Sequence, residues 1–482
     1  MGKSPENGEF FMKLNYKRVI LVGFAFFLIS AFWQAYDAII PLIMTNRFGL
    51  PQTASGAVMS FDNVLAAFLL PLFGAISDKS RSRFGRRTPF IVVGTVVAAV
   101  AFVALTLIDN YQLSRLIAEG IPEIEMGAMS EDEFTKHLAK LTLDLTLKNP
   151  WPLIGFVATL LVVLVAMATF RSPAVALMPD VTVKPLRSKA NAIINLMGTA
   201  GGISVLVLGM VFGTADKPYM RYTGYVLAVV AIMLLGLSVF LLTVKEKKWA
   251  SEMEEESERL GLNTAPSEEE SVSGGRSLGK AELKSLLLIL ASVALWYVGY
   301  NSITSKYSVY ASNILHFDFN MTLIIAQVAA IISYIPVGII ASKFGRKKTI
   351  LVGIIILASA FFAGNFITAS SPEFIMVPIF SLAGIGWATI NVNSFPMVVE
   401  LARGGDVGKY TGYYYTASMS AQIIAPILSG LLYDLFTMRL VFFAFGTLFV
   451  VLSFVTMFFV KHGDSIPEKK KSVLEGLDAE VD

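Results

Sequence analysis

Ionisable side chains are scarce inside the long apolar runs of this chain, and three of them have the chemistry to matter there: Asp37, Asp62 and Arg171. A charge at bilayer depth costs about 3 kcal/mol or more unless it faces water or a partner, so each marks a candidate site. At 1.5 Å rise per residue, Asp37 falls about 8 Å from the midpoint of the first run and Asp62 about 4–5 Å from that of the second. Both are displaced toward the same face, so they can be neighbours. Two carboxylates in one low-dielectric site resist double ionisation, which suits a group that loads and releases a proton near neutral pH. Asp37 and Asp62 are therefore the cation-coupling candidates. The plainer alternative puts Asp37 among lipid headgroups and Asp62 in a local cluster with Asn63, neither titrating. Arg171 falls roughly 9 Å to the other side of the fourth run's midpoint. Its guanidinium suits paired bonds to a carboxylate or two hydroxyls, in a substrate or gate role; a partner for Asp180 or a lipid phosphate is the alternative.

Neutral polar and aromatic residues make up the rest of the candidate binding set. Asn191 and Asn195 stand one helical turn apart, facing a cavity or bonding helix to helix. The seventh run carries Tyr297, Tyr300, Asn301, Thr304 and Lys306, the tenth Trp387 and Asn391, and the eleventh Tyr414 and Gln422. Aromatic faces cover the C–H side of a sugar ring while amides and hydroxyls bond its rim, so the set suits a sugar or glycoside. Any single tyrosine is equally at home in an interfacial belt.

The elements that position these groups follow from composition. Over 482 residues, 55% apolar against 16% charged is more than soluble cores can hide, so the solvent is lipid. Runs of roughly 20 apolar residues recur twelve times: 19 to 44, 53 to 77, 88 to 108, 151 to 179, 189 to 213, 221 to 243, 284 to 312, 318 to 341, 348 to 368, 373 to 399, 408 to 433 and 437 to 460. The first is too long for a secretory leader and is taken as an uncleaved span. Of 39 Lys and Arg, counting those at span ends with the side they adjoin, 29 fall on the side of the termini, 8 on the other side, and two, Arg171 and Lys306, deep within spans. The positive-inside rule then predicts cytoplasmic termini in a cell membrane, plasma or inner.

The expected organisation is an all-α membrane protein of two six-helix bundles. Residues 1–243 form the first, with an extracytoplasmic insertion at 109–150, and 284–460 the second. A flexible or amphipathic cytoplasmic linker at 244–283, rich in Glu254 to Glu256 and Glu268 to Glu270, and a tail at 461–482 complete it. Within 109–150, Phe134, Leu138, Leu141 and Leu145 have helical spacing, which predicts amphipathic helices over the outer mouth; a poorly ordered insertion is the alternative.

The halves repeat. Gly74, Asp78, Lys79, Phe84, Gly85, Arg86 and Arg87 after the second span match Gly338, Ser342, Lys343, Phe344, Gly345, Arg346 and Lys347 after the eighth. Asp180 and Arg187 after the fourth match Glu400 and Arg403 after the tenth. The stretch from Gly74 to Phe90 resembles the signature loop of the major facilitator superfamily. Its four-residue expansion, Ser80 to Arg83, is that of the sucrose-transporter and glycoside-pentoside-hexuronide cation symporter group. The resemblance implies a gating role for these glycines, acids and arginines; setting topology alone is the alternative. Phe170 to Asp180 with Ala190 to Asn195 resembles the helix 4 to helix 5 stretch of the same group. There a carboxylate and an arginine hold the sugar in melibiose-type members, at positions occupied here by Arg171 and Asn191. Their sodium-binding helix 2 aspartates are Ala66 and Leu70 here, which argues against that sodium site.

Zero cysteines exclude disulfides and thiolate chemistry, and His137, His316 and His462 fall in loops or at helix ends, so no metal and no cofactor is expected. No phosphate-binding loop, H-E-x-x-H or G-x-S-x-G element occurs, which speaks against a pump or an enzyme. Net charge +3 implies no nucleic acid. The expected function is alternating-access transport of a sugar or glycoside by a monomer, coupled to a proton or sodium. An exporter of another small organic or drug-like solute is the alternative, and a non-transporting sensor on the same fold a third.

Overall fold

The structure, a computed structural model, describes residues 14–215, 219–260, 279–401 and 407–463. Its helices, numbered along the chain, are α1 (Tyr16–Asn46), α2 (Gln52–Lys79), α3 (Thr88–Ala118), α4 (Glu131–Lys148), α5 (Trp151–Asp180), α6 (Arg187–Phe212), α7 (Thr223–Thr243) and α8 (Glu246–Arg259) in the first part. The second part holds α9 (Lys280–Thr304), α10 (Tyr307–Tyr310), α11 (Phe319–Phe344), α12 (Arg346–Gly364), α13 (Met376–Val399), α14 (Val407–Leu435) and α15 (Met438–Phe458). Twelve described helices, all but α4, α8 and α10, are long and apolar enough to span a membrane. Helices are forced there because backbone groups in hydrocarbon must bond within their own segment. Leu242, Val211 and Phe68 are 83%, 74% and 73% exposed, surface that lipid covers without cost and water would not.

The spanning helices form two bundles with one packing plan. In the first, α1 packs on α6 and α7, α3 on α5 and α7, and α2 on α5. In the second, α9 packs on α14 and α15, α12 on α13 and α15, and α11 on α13. The repeated loop motif predicts this correspondence. The bundles meet where α2 crosses α14 and α6 crosses α11. Twelve crossings bring the start of α1 and the end of α15 to one face, here the terminal face. At the opposite face α2 and α14 approach so closely that a Cβ on Gly56 would lie 2.0 Å from the Pro426 oxygen, and one on Gly430 would lie 2.4 Å from the Gln52 oxygen. Gly56→Val is accordingly expected to wedge the helices apart and shift the bundles toward an arrangement open at the opposite face. Cysteine-pair spin labels across that face will report the longer distance.

Two expected boundaries are corrected. The segment 109–150 is not a loop from its start: α3 runs on to Ala118, because Asp109 and Gln112 are buried with partners on the first bundle. The amphipathic part of the expectation matches α4, whose Leu138, Leu141 and Leu145 pack with Leu116 and Ile121. Ser130 caps α4 and its backbone amide and hydroxyl hold the Glu133 carboxyl below its ordinary range. The seventh span is not one rod over 284–312. It stops at Thr304, turns through Ser305 and Lys306, and resumes as α10 and a π turn over Ala311–Leu315. The linker opens with a helix, α8, which packs on α5. The acidic run at 268–270, Arg403 and most of the tail lie outside the described residues.

Candidate functional site

Helical spacing aligns the polar groups. Trp33 and Asp37 stand four apart on α1, and Met59, Asp62 and Asn63 share a face of α2. With Arg171 on α5, Asn301 and Thr304 on α9, Ser305, and Gln422 and Pro426 on α14, they line one cavity of about 190 Å3 between the bundles. Asp37 is exposed to this cavity. The Asn63 amide donates to Asp62 Oδ1 at 2.8 Å. The Arg171 guanidinium lies 5.6 Å from the Trp33 ring centroid, a cation–π contact, and interacts electrostatically with Asp62, which in turn acts on Asp37. Two carboxyls and one fixed cation thus line one chamber.

The remaining binding candidates divide. Tyr300 and Trp387 stack at 5.9 Å, the Tyr297 hydroxyl donates to Asn391 Oδ1 at 3.4 Å, and Tyr414 meets Phe395 edge-on at 5.3 Å. They form an aromatic and amide wall of the second bundle, joined to the cavity through Asn301, whose amide donates to the Tyr297 carbonyl at 2.8 Å. Asn191 and Asn195 are not among the residues lining the cavity; Asn195 is exposed on α6 and its carbonyl accepts from Thr199.

At the terminal face the signature loop is bonded within its own bundle. Arg87 reaches Asp78 at 2.5 Å and Asp180 at 2.8 Å, and Arg86, half exposed, stands 3.7 Å from Asp180. Gly74 supplies a carbonyl to Arg87 and leaves room for Ser172, while Gly85 at φ +121° makes the turn. Arg187 caps the end of α5 through the Pro179 and Thr182 carbonyls. In the second bundle Gly345 at φ +92° makes the turn and Arg346 meets Glu400 at 3.1 Å. The acid is therefore held by the second residue after the glycine in one half and the first in the other. Lys347 instead bonds the Phe458 and Val460 carbonyls.

Two features escaped the sequence reading. Glu246 at the start of α8 accepts from the Arg87 amide at 2.9 Å, the Thr88 amide at 2.8 Å and the Thr88 hydroxyl at 2.7 Å, capping α3. It fills the space over Gly85, where a Cβ would sit 2.2 Å from its carboxylate. Trp33 carries a signal that was available: it precedes Asp37 by one turn.

Among the described residues, hydrogen bonds that join the bundles lie from the cavity toward the opposite face. Asn46 and Asn313 exchange amide bonds at 3.2 and 2.7 Å, Gln327 donates to Gln34 at 2.7 Å, and Asn320 donates to Thr214 at 3.1 Å. The Ser60 hydroxyl donates to the Ile423 carbonyl at 2.8 Å, and the Ser312 hydroxyl to that of Ala215. The opposite face is thus shut by direct bundle contact, and the Arg87–Asp180 and Arg346–Glu400 pairs each tie a signature loop at the terminal face to its own half.

The sequence profile of the Major Facilitator Superfamily matches residues 22–335 and 318–478. An uncharacterized transporter of the same type from Methanocaldococcus jannaschii is 22% identical over 92% of this chain and 95% of its own length. An uncharacterized symporter of Synechocystis sp. is 26% identical over 42% of this chain, which spans only 33% of that relative. The human proton-associated sugar transporter A is 37% identical over 21% of this chain and 12% of its own length. Among solved structures, the inward open xylose transporter XylE of E. coli superposes with a TM-score of 0.61 over 97% of this chain and 100% of its own, at 15% identity. A POT family transporter in complex with 5-aminolevulinic acid gives 0.63 over 95% and 97%, at 10% identity. With a matching profile over nearly the whole chain and twelve membrane-spanning helices in two like-packed bundles, this protein belongs to the Major Facilitator Superfamily of multi-pass membrane transporters.

Proposed function

We propose that this transporter moves a sugar or glycoside by proton symport, with both termini in the cytoplasm of a cell membrane. The observation that carries the reading is the inter-bundle cavity in which Asp37, Asp62 and Arg171 meet beside the wall of Tyr300, Trp387, Asn391 and Tyr414. Arg171 attracts ionised Asp62, so protonation of Asp62 frees the guanidinium for substrate hydroxyls and couples the two cargoes in one chamber. The stacked Tyr300 and Trp387 rings offer an apolar face for a pyranose, and Asn301, Asn391 and Gln422 offer amides for its hydroxyls. Names of relatives point the same way, the human protein being a proton-associated sugar transporter and XylE a xylose transporter.

With cytoplasmic termini, the shut face is the outer one and the conformation is inward-facing. Asp78, Arg86, Arg87, Asp180 and Arg187, with Gly345, Arg346 and Glu400 across the repeat, act as the inner gate, closing on one another when the bundles rock the other way. Arg403 would join them. The test is a binding screen of mono- and disaccharides against purified protein, read by tryptophan fluorescence at pH 6 and pH 8, with and without sodium. Saturable quenching by one sugar class, stronger at pH 6 and indifferent to sodium, is expected. No saturable sugar at either pH overturns the substrate reading, and sodium dependence overturns the proton reading.

A further inference from the structure

The opposite-face closure contains two charged groups that the transport chemistry above does not use, and both take their bonds from the same helix end. Lys306, in the break between α9 and α10, is wholly buried, and its ammonium donates to the hydroxyl of Ser55, also wholly buried, at 2.6 Å. Among the described residues that is one neutral acceptor for three donors, a costly place for a cation. Asp434, at the end of α14, accepts from the Gln52 amide at 2.6 Å, the Thr53 amide at 2.7 Å and the Thr53 hydroxyl at 2.5 Å. These amides are the first of α2, so the carboxylate caps the positive end of that helix dipole. Lys306 and Asp434 are both on the second bundle and act on each other electrostatically, yet no ion pair joins them among the described residues. Each is instead spent on α2, which belongs to the first bundle.

We propose that Lys306 and Asp434 are exchange partners in the opposite-face gate: shut, each binds the N-terminal turn of α2; open, they release it and pair with each other. The exchange gives the open state a partner for each charge, so neither conformation leaves both stranded. It also sets the balance between states. Asp434 favours the shut gate through the helix cap, and Lys306 opposes it through its burial, so the two charges bias the equilibrium in opposite senses whatever solute is carried. The assignment needs only that the bundles rock apart, and it stands or falls separately from the sugar and proton readings.

The chain has no cysteine, which allows clean spin labelling of the Ile117→Cys, Phe366→Cys pair, two exposed positions at the opposite-face ends of the two bundles. Distances are measured in lipid nanodiscs without solute. Asp434→Asn is expected to lower the shut-to-open ratio about twofold to fivefold, the scale of an exposed charge at a helix N-terminus. Lys306→Met is expected to raise it about tenfold by removing the buried cation. In the K306M background, Asp434→Asn should lower the ratio further than it does in the wild type, because no open-state pair is then lost with it. Ser55→Ala, which removes the acceptor without altering charge, should lower the ratio and serves if K306M does not fold. Shifts of the same sign for D434N and K306M, or strictly additive effects in the double variant, overturn the exchange.

Discussion

Proteoliposomes carrying Asp62→Asn are expected to lose accumulation of solute under an inward proton gradient, by at least about tenfold, while exchange of labelled for unlabelled solute across the same membrane persists. Asparagine keeps the shape and the bond partner of the side chain, since the Asn63 amide can still donate to an oxygen at that position. What it removes is the exchangeable proton. Exchange without net turnover needs no return of the empty carrier and hence no proton release, so the two assays separate coupling from binding. Asp37→Asn should have the smaller effect, because the Arg171 charge acts on Asp62. Unaltered gradient-driven accumulation in D62N would remove Asp62 from the coupling step.

These groups were legible before any coordinates because the bilayer makes them expensive. An aspartate in a run of alanines and leucines has few structural excuses, and the same argument picked out Arg171; the cavity holds all three. The gating loop was legible for another reason. Its glycines sit at φ +121° and +92°, turn positions that few other residues tolerate, so the motif had to recur in recognisable form in both halves. Glu246 was not legible, since one acid among Lys245, Lys247 and Lys248 has no pattern to betray that it folds back onto Gly85. The break at Lys306 was hidden as well: Asn301 to Lys306 contains neither glycine nor proline, and only the tertiary pull of Ser55 shows why the helix yields there. Asn191 and Asn195 illustrate the limit of spacing arguments, which put two amides on one face of α6 without saying what that face meets.

Arg47 and Asp109 each stand just past the end of an apolar run, where composition marks no site, yet both are wholly buried, 3.1 Å apart. Arg47 Nη2 donates to the Met220 carbonyl at 2.5 Å, its guanidinium lies 5.6 and 5.5 Å from the Tyr219 and Tyr222 rings, and its own carbonyl accepts from Gln112 at 3.0 Å. Gln112 also donates to Thr146 at 3.1 Å, which ties α4 to the pair. Removing one partner strands a charge in a dry site, at a cost of about 3–5 kcal/mol, whereas replacing both with apolar side chains is near neutral. Arg47→Met and Asp109→Leu are therefore each expected to lower the Tm by several degrees and to speed hydrogen exchange along α4, while the double variant recovers most of the loss. If the singles unfold like the wild type, the pair is wetter than its burial implies. If the double variant is no better than the worse single, the bonds to Met220 and Gln112 matter more than the charge balance, because those are the contacts that pairing two apolar side chains cannot restore.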